Sequence, residues 1–280
     1  MTFISSIVYG NAGGTDLPLD LYLPDPLPSS YLPTVLLIHG GGWSAGSRTQ
    51  EASLCQKFVQ AGYIAAAIDY RLSSNGVNLF PAAIYDCKAA VRWLRANADQ
   101  YHILSNRIGV FGQSAGAQLA LLLAYTSPTD GLEGNSGNPG FSSRVQAVCS
   151  WYGPTALAPL FVEAVQSNAT DTLLALTNLL GGTPNQVAPG LYDLASPYKY
   201  VSADDPPTFM IHGLNDRTVF FDQSLNLYNK LLATGLLAKL VPVTNAGHGF
   251  VTNTPGVPII PNPNAFPQAT IGFFNTFLKI

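Results

Sequence analysis

Residues 107–125 read Arg-Ile-Gly-Val-Phe-Gly-Gln-Ser-Ala-Gly-Ala-Gln-Leu-Ala-Leu-Leu-Leu-Ala-Tyr. A short apolar strand runs into Gly112-Gln113-Ser114-Ala115-Gly116, and a strongly apolar helix follows at once. That order demands a sharp strand-to-helix turn. A serine in such a turn takes a strained backbone conformation and shows its hydroxyl at the sheet edge. Gly112 and Gly116 carry no Cβ atoms to collide across it. The N-terminus of the helix lies beneath the hydroxyl, with backbone N–H groups facing any negative charge that develops there. Ser114 is predicted to be a nucleophile.

The five-residue pattern alone is weak, and the chain carries its own control. Gly42-Trp43-Ser44-Ala45-Gly46 also fits it. The nearest strand, 34–38, ends at His39, and four residues separate His39 from Ser44. That spacing makes a loop and no elbow, so Ser44 is read as loop or helix-start chemistry.

Around the elbow, strands and helices alternate. Residues 7–9 and 19–22 flank Gly13-Gly14 and read as an antiparallel opening pair. Strand 34–38 is continuously apolar, as a doubly covered parallel strand should be. A helix near 48–61, strand 64–68 and a helix from Pro81 to about Asn97 follow, then strand 107–111 and helix 115–125. Strands 145–151, 208–211 and 238–243, with helices near 221–234 and 266–279, complete the pattern. It predicts a mostly parallel central sheet with helices on both faces. At 280 residues and 47% hydrophobic content the chain can bury one large core, and no linker divides residues 1–280. Residues 153–200 break the alternation with short helical pieces near 157–166, 171–180 and 187–194, punctuated by Gly181-Gly182, Pro184 and Pro189. They are read as a small cap inserted in the domain and shaping a pocket; the alternative is packing decoration.

Charge narrows the partners. Only 10% of residues are charged and the net charge is −3, with no basic stripe for nucleic acid. The uncharged stretches 145–162 and 251–278 are broken by Pro and polar residues, so neither is expected to span a membrane. The first six residues lack a basic start and an apolar block, which predicts a cytoplasmic protein; a secreted chain stripped of its leader would read the same. Cys55, Cys87 and Cys149 are odd in number and sit in apolar surroundings. They are expected to be buried free thiols, neither a disulfide framework nor a metal site.

A serine nucleophile needs a base, and the base needs an orienting acid. His39 ends a strand and is expected to be held there structurally. His102 lies in a polar connector and is expected to be exposed. His212 ends strand 208–211 and reads as a satisfied strand-end residue. His248 follows the last strand within Asn245-Ala246-Gly247-His248-Gly249-Phe250, and the flanking glycines let the chain turn the imidazole over the sheet edge. His248 is the predicted base. The acid should lie between serine and histidine in the chain. Asp216 sits in the loop at the C-terminal end of strand 208–211. Asp222 reads as a helix-start charge, and Asp204 and Asp205 precede the strand at its opposite end. Asp216 is therefore the predicted acid. The run His39-Gly40-Gly41-Gly42 can turn backbone N–H groups into the site and, with the N–H of Ala115, form a hole for an oxyanion.

With these residues in place the chain resembles the α/β-hydrolase superfamily. More closely, it resembles the esterases with an HGGG oxyanion motif: the hormone-sensitive-lipase-like enzymes and the group with feruloyl and acetylxylan esterases. The resemblance rests on Ile38-His39-Gly40-Gly41-Gly42-Trp43, Asp69-Tyr70-Arg71-Leu72, Phe80-Pro81-Ala82-Ala83-Ile84-Tyr85-Asp86, the elbow, Ser196-Pro197, Asp205-Pro206-Pro207, His212-Gly213-Leu214-Asn215-Asp216 and Gly247-His248-Gly249. It implies the α/β-hydrolase fold, a triad of Ser114, Asp216 and His248, oxyanion donors at Gly41, Gly42 and Ala115, and neither metal nor organic cofactor. It further implies hydrolysis of small-molecule esters through an acyl-enzyme, with short-chain acyl or compact aryl esters expected. Ala117 departs from the second glycine many relatives carry after the elbow. The long N-terminal cap helices of hormone-sensitive-lipase-like enzymes are missing, which favours the feruloyl and acetylxylan side. An arylformamidase- or peptidase-like hydrolase, or an inactive binding protein on the same fold, are the alternatives. Trp43, Trp151, Tyr152, Phe161 and Phe250 are candidate aromatics for the substrate pocket, against the alternative that aromatics in a chain like this are more often core.

Overall fold

The apolar runs form the middle of an eight-stranded sheet in the computed structural model, which describes residues 1–279. The strands are β1 (Thr2–Ala12), β2 (Thr15–Leu23), β3 (Leu32–Ile38), β4 (Ile64–Ile68), β5 (Ile103–Gln113), β6 (Ala147–Trp151), β7 (Thr208–Gly213) and β8 (Ala238–Val243). Their order across the sheet is β1-β2-β4-β3-β5-β6-β7-β8. The opening pair is antiparallel and joins β4 antiparallel; every later pairing is parallel. The chain therefore steps outward from β3 to β4 and then back across β3 to β5. The winding reverses between β3 and β5, and open α/β sheets gather ligands in the crevice at such a point. Ile38 lies beside Gly112 there, so the glycine-rich loop and the elbow leave the sheet as neighbours.

Helices cover both faces. α1 (Ala52–Gln60) lies on one face with the last helix, Phe266–Leu278. On the other lie α2 (Ala82–Ala96), the four-residue α3 (Ala98–Tyr101), α4 (Ala115–Tyr125) and the helix Asp222–Ala233. Strand residues alternate between the two cores: Val35 and Leu37 join the first, Leu36 and Ile38 the second. Every residue of α4 is buried, because the sheet lies on one side of it and other helices on the other. Between β6 and β7 come α5 (Leu157–Gln166), α6 (Thr170–Leu180), α7 (Leu191–Leu194) and α8 (Pro197–Tyr200). The helices after β7 and β8 are α9 (Asp222–Ala233) and α10 (Phe266–Leu278). Among the described residues no helix is long and apolar enough to cross a membrane.

Several boundaries differ from expectation for local reasons. β5 starts at Ile103, because a buried Ile103 pairs with Leu32 ahead of the polar Ser105-Asn106 that hides the extension. The helix expected over 48–61 begins as a 3₁₀ turn, Arg48–Glu51, before α1. The piece expected over 187–194 shrinks to α7, since Pro189 and a left-handed Gly190 stop it from starting earlier. His102 is half-buried and not exposed: it caps α3 in the left-handed region, meets Pro28 O through Nδ1 at 2.6 Å and stacks on Tyr31. The three cysteines are buried and unpaired, as their surroundings imply.

Candidate active site

The elbow serine bears the strain that the turn requires. Ser114 sits at φ 51°, ψ −122°, between the end of β5 and the start of α4. A Cβ on Gly112 would come within 2.2 Å of Gly116 O, and one on Gly116 within 2.2 Å of Ile38 O. Both positions thus exclude any side chain by contact alone. Ser114 Oγ lies 2.8 Å from His248 Nε2, and His248 Nδ1 lies 2.7 Å from Asp216 Oδ2. His248 leaves the sheet after β8 and Asp216 after β7, so all three side chains stand at the C-terminal edge of parallel strands.

Asp216 is held from both sides. Its Oδ1 accepts the N–H groups of Thr218 and Val219, each at 2.9 Å. Its Oδ2 also lies 3.3 Å from His212 Nε2. Burial pushes the Asp216 carboxyl up, yet hydrogen bonds and charge from His212 and His248 overcome it and hold the carboxyl well below its usual range. Its ionised form therefore stabilises the fold above the ordinary Asp range, and that contribution is lost as the pH falls through the depressed value. His212 is the satisfied strand-end residue expected, with Ser224 Oγ on Nδ1 and Val219 O on Nε2, but its contact with Asp216 has no warning in its sequence context. His39 lies outside this group: it is buried, stacks on Tyr70 and donates from Nδ1 to Gly40 O. Asp222 opens α9 on the surface, and Asp205 lies buried before β7 at the far end of that strand.

The glycine-rich loop folds over the elbow. Gly41 (φ 118°) and Gly42 (φ 57°) take backbone conformations that other residues rarely adopt. Gly41 O accepts from Ser44 N and Ala45 N, which ties Ser44 into a tight turn. The N–H groups of Gly41, Gly42 and Ala115 find no acceptor among the described residues. They border a cavity of about 400 Å³, together with Ser114 and His248. Trp43 and Tyr152 form part of its wall, with Leu160 from α5 and Thr172, Ala175 and Leu176 from α6. Phe161 and Phe250 lie off that wall. Phe161 packs edge-on against Tyr192, and Phe250 packs among Trp151, Tyr152 and Phe266. Trp151 belongs to that same aromatic stack. These rings are half-buried and pack against the core, and an apolar ring's sequence context does not distinguish such packing from wall.

Residues 19–231 match the profile of a family described as BD-FAE. The chain belongs to the BD-FAE family. This BD-FAE chain is 32% identical over 253 residues to the esterase LipQ of Mycobacterium tuberculosis, a match covering 88% of the chain and 57% of LipQ. The chain spans about half the length of the curated relatives it matches first, with 51% covered in LipM of the same organism. Among solved structures, a truncated carbohydrate esterase from gut microbiota superposes with a TM-score of 0.82 at 28% identity, covering 99% of this chain and 96% of that one. A thermophilic esterase of Thermogutta terrifontis, solved with propionate bound, superposes at 0.77 and 27% identity, covering 98% and 93%. That esterase has also been solved phosphorylated by paraoxon, at a TM-score of 0.75 and 25% identity, covering 97% and 91%. The fold of the BD-FAE chain is the α/β-hydrolase fold.

One group at this site gives no sign of itself in the sequence. Glu51 is buried at 2% exposure. Burial pushes its carboxyl up to about 7, against a single hydrogen bond from Gln113. Between pH 4.5 and about 7 the folded chain keeps a proton that the unfolded chain has lost. Stability must then fall as pH rises through that window, by on the order of 3 kcal/mol. Glu51→Gln, which cannot ionise, should flatten the slope of thermal stability between pH 5 and pH 8. Parallel melting curves for the two proteins across that range would show that Glu51 carries no such linkage.

Proposed function

We propose that this chain is a serine carboxylesterase acting on short-chain acyl or compact aryl esters through an acyl-enzyme. The observation that carries the reading is the continuous contact from Ser114 through His248 to Asp216, at the mouth of a cavity bordered by three free N–H groups. His248 Nε2 takes the Ser114 proton as Oγ attacks the ester carbonyl. Asp216 fixes the imidazole with its proton on Nδ1 and stabilises the charged ring. The N–H groups of Gly41, Gly42 and Ala115 receive the oxyanion; one such donor is typically worth about 10²- to 10³-fold in kcat. His248 then protonates the leaving alcohol, and water, deprotonated by the same nitrogen, releases the acid. The propionate and paraoxon complexes of the Thermogutta terrifontis esterase support a short acyl group and a nucleophile that organophosphates attack.

Cavity size sets the substrate range. A volume of about 400 Å³ is at the small end for a ligand site. Each acyl CH₂ gains about 0.8 kcal/mol only where it is buried. Methylenes beyond the wall made by Leu160, Ala175 and Leu176 stay wet and gain nothing. On a p-nitrophenyl ester series, kcat/KM should peak between acetyl and butyryl and drop for acyl chains beyond about eight carbons. No jump in rate should appear above the substrate's solubility limit. A steady rise to palmitoyl esters would make the chain a lipase. Aryl amides or N-formyl compounds turned over faster than esters would make it an amidase.

A further inference from the structure

Glu51 is a buried carboxyl beside residues of the site, and no cation pairs with it among the described residues. Unpaired burial costs stability, so its place needs another explanation. Its contacts give one. Gln113 Nε2 donates to Glu51 Oε1 at 2.6 Å, and Gln113 Oε1 accepts the Tyr152 hydroxyl at 2.7 Å. Gln113 is the residue immediately before Ser114. Tyr152 lines the cavity, and its ring meets the His248 imidazole edge-on with centroids 4.8 Å apart. Tyr152 also stands at φ 42°, a strained conformation that needs contacts to hold it. Glu51 itself is anchored from its own 3₁₀ turn. Arg48 N donates to Asp69 Oδ1 at 2.7 Å and Arg48 Nε to Asp20 Oδ1 at 2.8 Å.

We infer that Glu51 is a positioning residue of the ester site: acting through the Gln113 amide, it holds Tyr152 against His248 and fixes one wall of the cavity. This rests on the esterase reading above. The amide is what makes the arrangement directional. With its N–H on Glu51, only its oxygen is left to face Tyr152, so the hydroxyl must donate and the ring is fixed in one place. An apolar residue at 51 would free the amide to turn, and Tyr152 would lose its acceptor.

A charge swap tests this without removing any group. Gln113→Glu sets one carboxyl against another, so the fixed amide donor is replaced by a proton shared between them that is lost as the pH rises. Combining it with Glu51→Gln restores a donor and an acceptor at each contact: Gln at 51 donates to Glu at 113, whose other oxygen accepts from Tyr152. At pH 8, on p-nitrophenyl acetate, Gln113→Glu should lower kcat by about 10- to 100-fold and move KM by less than about threefold. The rate at which paraoxon labels Ser114 should fall with kcat. The double variant should recover both to within about fivefold of the wild-type protein. Tyr152→Phe removes one oxygen and keeps the ring; its kcat should fall by about three- to tenfold. A double variant no better than Gln113→Glu alone, a loss confined to KM, or an unaltered kcat in Tyr152→Phe would each overturn the assignment. Should Gln113→Glu fail to fold, Glu51→Leu, which leaves the Gln113 amide unanchored, decides: a fall in kcat with KM kept supports the assignment, and an unaltered kcat overturns it. A wild-type chain that neither hydrolyses the ester nor takes up paraoxon would end the esterase reading, and this one with it.

Discussion

Ser114→Ala is expected to lower kcat by about 10³-fold or more while leaving the fold intact, because it removes the covalent route and little else. Alanine keeps the Cβ already accommodated at φ 51° and deletes only the oxygen that faces His248. Residual hydrolysis should remain above background, since the free N–H groups of Gly41, Gly42 and Ala115 still border the cavity. The second Gly-x-Ser-x-Gly segment is the internal control. Ser44 lies exposed in the turn closed by Gly41 O, with no base hydrogen-bonded to it among the described residues. Ser44→Ala should keep most of the activity. Paraoxon should add mass to the wild-type chain and to Ser44→Ala, and none to Ser114→Ala. A dead Ser44→Ala variant, or label mapped to Ser44, would move the nucleophile to the other segment.

The sequence held the fold and the contacting serine, histidine and acid, and the reason is local. Gly112 and Gly116 are dictated by backbone atoms within a few residues or on the adjoining strand. His248 and Asp216 each follow the end of a strand, so strand order alone brings them to one edge of the sheet. Contacts of another kind were hidden. Glu51 and Gln113 are 62 positions apart, and no spacing rule joins a residue in a 3₁₀ turn to one at the end of β5. His212 reads as a satisfied strand end, and it is one, yet it also flanks Asp216. Phe161 and Phe250 are candidates for the pocket wall on residue type alone, and their side chains turn into aromatic packing instead. Which neighbours a ring meets depends on residues distant in sequence, whether it stands on α5 as Phe161 does or in the turn after β8 as Phe250 does, and periodicity carries no record of it.

Asp216→Asn should cost nearly as much as losing the base, and the hydrogen bonds say why. The carboxylate accepts at both oxygens: Thr218 and Val219 N–H on Oδ1, His248 Nδ1–H on Oδ2. An asparagine has one acceptor oxygen. The two backbone donors hold that oxygen, so the amide N–H₂ must face His248. Nδ1 then has to accept, the ring proton moves to Nε2, and the nitrogen facing Ser114 can no longer take its proton. A loss of about 10⁴-fold in kcat is expected from the wrong tautomer, with KM little altered. His248→Ala should be at least as severe. Adding Ser114→Ala to either variant should cost little more, because the three side chains act as one unit. The wild-type kcat/KM should fall on the acidic side, since a histidine base works only without its second proton. Undiminished activity at pH 4 would argue against a histidine base. Full multiplicative losses in the double variants would show that the three residues work independently. A mild Asp216→Asn beside a severe Asp222→Asn would transfer the acid to the first turn of α9.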